Sequence, residues 1–92
     1  MKWSALQTRR FARQYKQLHN NAAADVDSAV EDVNRNPEFG GRKKGDLAAL
    51  QVHKFHSGGL LYSLGYTLDE SVQLVYLEAV GPSENFYRDL KR

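Results

Sequence analysis

From Leu47 to Val80 the chain reads LAALQVHKFHSGGLLYSLGYTLDESVQLVYLEAV, and this stretch decides the fold. Leu50, Val52 and Phe55 lead into a turn, Ser57-Gly58-Gly59. Leu60 to Leu68 follows as a strand-like run with two tyrosines, and Asp69-Glu70-Ser71 turns the chain again. In the last run Val72, Leu74, Tyr76, Glu78 and Val80 share one side, and Gln73, Val75, Leu77 and Ala79 the other. Short apolar runs separated by polar turns predict strands near Leu47–His56, Leu60–Leu68 and Val72–Val80. Turns this short cannot make a crossover, so the pairing is antiparallel. A run apolar on both sides suits the middle of a sheet, which predicts Val72–Val80 as the central strand between the other two.

Upstream the period is helical. Trp3 to Leu6 is a short apolar segment that suits a first strand. Thr8 is placed to cap a helix beginning near Arg9, in which Phe11, Tyr15 and Leu18 recur on one side and Arg9, Arg10, Arg13 and Lys16 on the other. A second helix is predicted from about Ala22 to Asn34, with the stripe Ala22, Val26, Ala29, Val30 and Val33 and an acidic outer face. Asn36-Pro37 ends it, because the residue before a proline is pushed out of the helical region. A loop from Glu38 to Gly45 carries Arg42, Lys43 and Lys44. Downstream, Gly81-Pro82 stops the last strand, and Ser83 to Leu90 reads as a short helix capped by Ser83. The order β-α-α-β-β-β-α predicts an α+β fold, an antiparallel sheet with helices on one side. The expected core is Phe11, Leu18, Val26, Val30, Val33, Leu64, Leu74 and Tyr76.

Composition narrows the function. Ninety-two residues make a single domain, 1–92, with 41% hydrophobic and 26% charged residues, a balance that folds. There is no cysteine, which excludes disulfides, thiolate metal sites and cysteine nucleophiles and suggests a reducing compartment. Apolar runs are too short to cross a membrane or to form a signal peptide, so a cytoplasmic location is expected. The net charge is only +2, but it is segregated. Residues 1–20 hold Lys2, Arg9, Arg10, Arg13 and Lys16 and no acid; residues 21–38 hold Asp25, Asp27, Glu31, Asp32 and Glu38 against Arg35 alone. A basic face of this kind attracts phosphate backbones or an acidic protein.

His19, His53 and His56 raise the question of a metal. His53 and His56 are three apart, which puts them on opposite faces of a strand, and no metal or other cofactor is expected. No serine stands in a nucleophile-elbow context, and Gly58-Gly59 sits in a hairpin rather than a phosphate-binding loop. The cations are more informative. Lys54 and His56 alternate, so both leave one face of their strand, within reach of Tyr87 and Arg88 from the C-terminus.

Several short stretches carry a resemblance in order and spacing. They are Arg42-Lys43-Lys44-Gly45-Asp46-Leu47, Val52-His53-Lys54-Phe55, Leu64-Gly65-Tyr66, Val80-Gly81 and Glu84-Asn85-Phe86-Tyr87-Arg88-Asp89-Leu90-Lys91. Together with the two leading helices they resemble the RelE/ParE superfamily of bacterial toxins, over nearly the whole chain. The resemblance implies a small curved antiparallel sheet with two N-terminal helices packed on one face. It implies an antitoxin partner and a hetero-oligomer with it. It also implies one of two activities: cleavage of ribosome-bound mRNA, as in RelE-like members, or poisoning of DNA gyrase, as in ParE-like members.

For RNA cleavage the resemblance assigns Lys54 and Tyr87 to matching catalytic positions, with His56 in the place of a second lysine. Glu84 is a candidate base. Arg42, Lys43, Lys44, His53 and Arg88 are candidate phosphate and RNA contacts. Ser63 and Ser83 stand where arginines are expected in such members, and close relatives often carry a histidine at the place of Ser83. The chain therefore reads as a ribosome-dependent endoribonuclease, with a gyrase inhibitor or a weakened toxin that only titrates antitoxin as alternatives. Arg9, Arg10, Arg13 and Tyr15 are the expected antitoxin contacts, charge steering and the aromatic anchoring.

Overall fold

The computed structural model describes residues 3–37, 41–42 and 50–90. The strands are β1 (Ser4–Gln7), β2 (Gly41–Arg42), β3 (Gln51–Ser57), β4 (Leu60–Asp69) and β5 (Leu74–Pro82). The helices are α1 (Arg9–Lys16), α2 (Asn20–Arg35) and α3 (Ser83–Leu90). The five strands form one sheet in the order β1-β5-β4-β3-β2.

β3, β4 and β5 make the antiparallel meander that the two turns predict. Gly58 and Gly59 both take positive φ, 58° and 81°, as a two-residue hairpin turn matched to strand twist requires. The strand between its two neighbours in the meander is β4, not β5. β5 lies between β4 and β1, and β1 joins it in parallel, Ser4 opposite Leu74 and Leu6 opposite Tyr76. The sheet is thus mixed, with the chain's first strand beside its last. α1 and α2 supply the crossover between β1 and the meander.

The faces of β5 also differ from strict alternation. Gly65 pairs Ala79 but Tyr66 pairs Leu77, so Glu78 is an extra residue in a β-bulge. Before the bulge Val75 and Leu77 face α1 and α2; after it Val80 does. Leu74 and Tyr76, expected in the core, are therefore half-buried on the opposite face. α1 occupies the interrupted edge. The Thr8 hydroxyl accepts from the Phe11 N–H at 3.3 Å, capping the helix as expected, and donates to the Leu77 carbonyl at 2.8 Å. The Val80 N–H donates to Gln14 Oε1 at 2.8 Å. Two polar side chains thus satisfy backbone groups near the bulge.

The main core lies between the helices and this face: Phe11, Val26, Ala29, Val33, Leu64, Tyr66, Val75, Leu77 and Val80 are all buried. Leu18 and Val30, expected inside, pack against it half-buried. α2 begins two residues earlier than expected and ends at Arg35, with Asn36 outside the helical region before Pro37. The Tyr66 hydroxyl reaches across the core to the Pro37 carbonyl, and Ser57 donates to Asp25 at 2.6 Å, so both ends of α2 are tied to the sheet.

Candidate functional site

The other face carries a smaller core and the candidate site. α3 lies across it, with Phe86 buried against Leu50, Val52 and Ala79. Gly65 is required there: a Cβ at that position would stand 2.7 Å from the Phe86 ring. The Tyr87 ring meets Phe86 edge to face at 5.1 Å and packs half-buried against the same cluster.

Counting along the hairpin from this cluster gives the exposed part of the face. Val52 pairs Gly65, Lys54 pairs Ser63 and His56 pairs Leu61. Cross-strand partners share a face. Lys54 and His56 therefore project on the α3 side, both exposed, as the alternation predicts. Ser63 is 0% exposed, and its hydroxyl shares a 2.7 Å hydrogen bond with that of Ser83, the first residue of α3. The expected capping hydroxyl of α3 is thus joined to the sheet. Glu84 is exposed in the first turn of α3, and Arg88, also exposed, donates to Asn85 Oδ1 at 2.7 Å. Beyond Leu61 the surface dips into a cleft of about 360 Å³ lined by Leu60, Leu61, Pro82, Ser83, Glu84 and Asn85.

His53 is not part of this surface. It leaves β3 toward α2, half-buried, with its ring stacked 6.3 Å from Phe55. Burial lowers its pKa from the usual 6.5, and Asp32 opposes that shift. The backbone of Arg42 lies in β2 opposite Gln51. Lys43 and Lys44 fall outside the described residues. Among the described residues no three His, Asp or Glu side chains converge as a metal site would need.

On α1, Arg9, Arg13 and Lys16 are exposed, whereas Arg10 is half-buried. Phe11 is buried and Tyr15 stacks on it at 6.0 Å. The Tyr15 hydroxyl donates to Asp27 at 2.8 Å; that bond, with lesser help from desolvation and the charge of Asp27, raises its pKa. Tyr15 thus anchors α1 to α2 of its own chain. Sequence reasoning missed the meeting of Ser63 with Ser83 and the cleft beside it. Half the signal was present: a two-residue Gly58-Gly59 turn pairs Ser57 with Leu60 and, three steps back, Lys54 with Ser63.

A mixed sheet with an α-helical pair on one face and a C-terminal helix on the other is the fold of the RelE toxins. The chain belongs to the ParE-like toxins of type II bacterial toxin–antitoxin systems, whose family model matches residues 5–91. Its structure is similar to that of the toxin–antitoxin complex RelBE2 from Mycobacterium tuberculosis, with a TM-score of 0.79 at 21% identity over 89% of this chain and 99% of that one. It is also similar to a mutant E. coli toxin RelE in the free state, with a TM-score of 0.78 at 16% identity over 99% of this chain and 92% of that one. A third likeness is to the intact E. coli RelBE toxin–antitoxin complex, with a TM-score of 0.71 at 18% identity over 87% and 95%. At these identities the likeness is one of fold. No curated protein matches the sequence. No helix among the described residues is long and apolar enough to cross a membrane.

Proposed function

We propose that this toxin is an endoribonuclease acting on ribosome-bound mRNA. The observation that carries the reading is the projection of Lys54 and His56 from one exposed face, beside the helix that holds Tyr87 and Arg88. Cleavage requires the 2′-hydroxyl to attack the adjacent phosphate in line, leaving a 2′,3′-cyclic phosphate and a free 5′-hydroxyl. Lys54 holds the scissile phosphate, and its ammonium stabilises the charge that builds on it. His56 gives a proton to the leaving 5′-oxygen as general acid. The attacking hydroxyl releases its proton to water. Tyr87 offers a ring for base stacking, worth about 1–3 kcal/mol. Arg88 extends the positive surface.

A gyrase-directed reading has its own support. The Ser63–Ser83 pair sits beside Lys54, where the resemblance to nuclease members leads one to expect cations. Neutralisation is assigned to an antitoxin whose acidic segment docks along Arg9, Arg13 and Lys16 of α1.

Induced expression with mapping of mRNA 5′ ends tests the proposal. Codon-phased cuts that vanish in Lys54→Ala support the nuclease. DNA damage with intact mRNA supports gyrase poisoning. Cells that tolerate both the natural chain and Ser83→His, while the protein still binds antitoxin, identify a module that only titrates antitoxin.

A further inference from the structure

One side of the sheet ends at β1, and the outer edge of that strand is open over a short span. Ser4 and Thr8 give their N–H groups to the Gln73 and Leu77 carbonyls on the β5 side, at 3.2 and 3.1 Å. The groups of a strand alternate from side to side, so Ala5 and Gln7 turn their N–H and C=O groups outward. Trp3 points outward as well, but its N–H is given to the Asn34 carbonyl near the end of α2, at 3.2 Å. At the other end Thr8 caps α1, which begins at Arg9. The open edge is therefore Ala5–Gln7, with Leu6 between the two outward residues. The neighbouring stretch of β5 is guarded, since Gln14 takes the Val80 N–H and Pro82 has none to offer. β1 carries no charge, no proline and no bulge, the devices that keep sheet edges apart. We propose that β1 pairs antiparallel with β1 of a second copy of this chain, with Leu6 on the two-fold axis.

Of the registers that set outward groups against outward groups, one satisfies both copies. Ala5 opposite Ala5 would set Gln7 against Trp3, whose N–H is taken. Gln7 opposite Gln7 would set Ala5 against Arg9, already inside α1. With Leu6 opposite Leu6, Ala5 of each copy faces Gln7 of the other, and each such pair exchanges both of its hydrogen bonds. Leu6 then sits in a non-hydrogen-bonded pair, where opposed side chains come closest. It is 49% exposed, and its partner Tyr76 and the nearby Leu74 lie half-buried on the same face, so the axis gathers apolar groups from both copies. A longer strand from a different protein would overrun the span at Trp3 or at α1, whereas the same short span in a second copy matches it end for end. A net charge of only +2 leaves little repulsion between copies. Contact along so short a strand is small, so the dimer forms and dissociates with concentration. Lys54 lies on β3, with β5 and β4 between it and β1, so the pairing leaves the Lys54 surface open and stands apart from the nuclease reading.

The chain has no cysteine, so a single introduced thiol can report the register. Partners in a non-hydrogen-bonded antiparallel pair stand at a spacing that a disulfide spans. Leu6→Cys should therefore form a covalent dimer under mild oxidation about tenfold or more faster than Val72→Cys, a control at a position 59% exposed. Sedimentation velocity of the unaltered toxin should show a reversible dimer that grows with concentration. Leu6→Lys sets two ammonium groups on the axis and should keep the chain monomeric without lowering its thermal midpoint. In NMR spectra the Ala5 and Gln7 amide signals should shift as the protein is concentrated. Equal oxidation rates for the two cysteine variants, or self-association that survives Leu6→Lys, would overturn the proposal. So would Ala5 and Gln7 signals that ignore concentration and move only when an antitoxin is added, since the edge would then belong to that partner.

Discussion

The two faces of the sheet are built to different ends. Among the described residues the face under α1 and α2 buries nine in one cluster, with Phe11, Val26, Val33, Leu64, Tyr66 and Val75 at 1% exposure or less. Among the described residues the face under α3 buries four, Leu50, Val52, Ala79 and Phe86, and then gives way to Lys54, His56 and a hydroxyl pair. Buried apolar side chains contribute about 1.5–3 kcal/mol each, so the first face carries most of the stability. The second holds a short helix over a surface left partly wet. Such a surface can be kept because the opposite face supplies most of the folding energy.

The sharpest way to break the comparison is to cut one leucine on each face. Leu64→Ala should cost about 2–5 kcal/mol, since Leu64 is fully buried in the larger core. Leu74→Ala should cost clearly less, because Leu74 is half-buried on the α3 side of the sheet. Urea midpoints of the two variants check the order, and equal losses would mean that the bulge at Glu78 does not exchange the faces. Gly65→Ala should come next, at about 1–3 kcal/mol, as the new methyl drives into the Phe86 ring. Hydrogen exchange should then rise in α3 and stay unchanged in α2.

Ser63→Ala should cost about 1 kcal/mol by removing one partner of the Ser63–Ser83 bond. Exchange in the first turn of α3 would report it, and restoration by Ser63→Thr would separate the lost bond from general loosening. The smallest effect concerns pH. His53 lies on the helix face, where burial holds its folded pKa below the usual 6.5. As pH falls, the unfolded chain takes up the proton first. The contribution of neutral His53 is complete above 6.5 and is lost as pH drops from 6.5 through the folded value. His53→Gln should flatten the stability profile in that window, as urea midpoints measured across it would show.

Much of this molecule is written in local patterns. The 3.6-residue stripe of Phe11, Val26 and Val33, the Asn36-Pro37 stop and the Gly58-Gly59 hairpin each rest on interactions within a few residues, so a linear reading finds them. The two-residue period of a strand likewise puts Lys54 and His56 on one face. Three other features needed the folded chain. β1 pairs in parallel with β5 across about 70 residues, as Ser4 faces Leu74, and no turn between them announces the register. The bulge at Glu78 moves Leu74 and Tyr76 out of the main core, because an extra residue inverts a two-residue period and only the partner strand shows where it falls. Ser63 and Ser83 meet because α3 folds back over the hairpin, and with them the cleft of Leu60, Leu61, Glu84 and Asn85 takes shape. Periodicity records which side of its own element a residue occupies. What that side meets depends on how distant elements pack, and packing is a property of the whole chain.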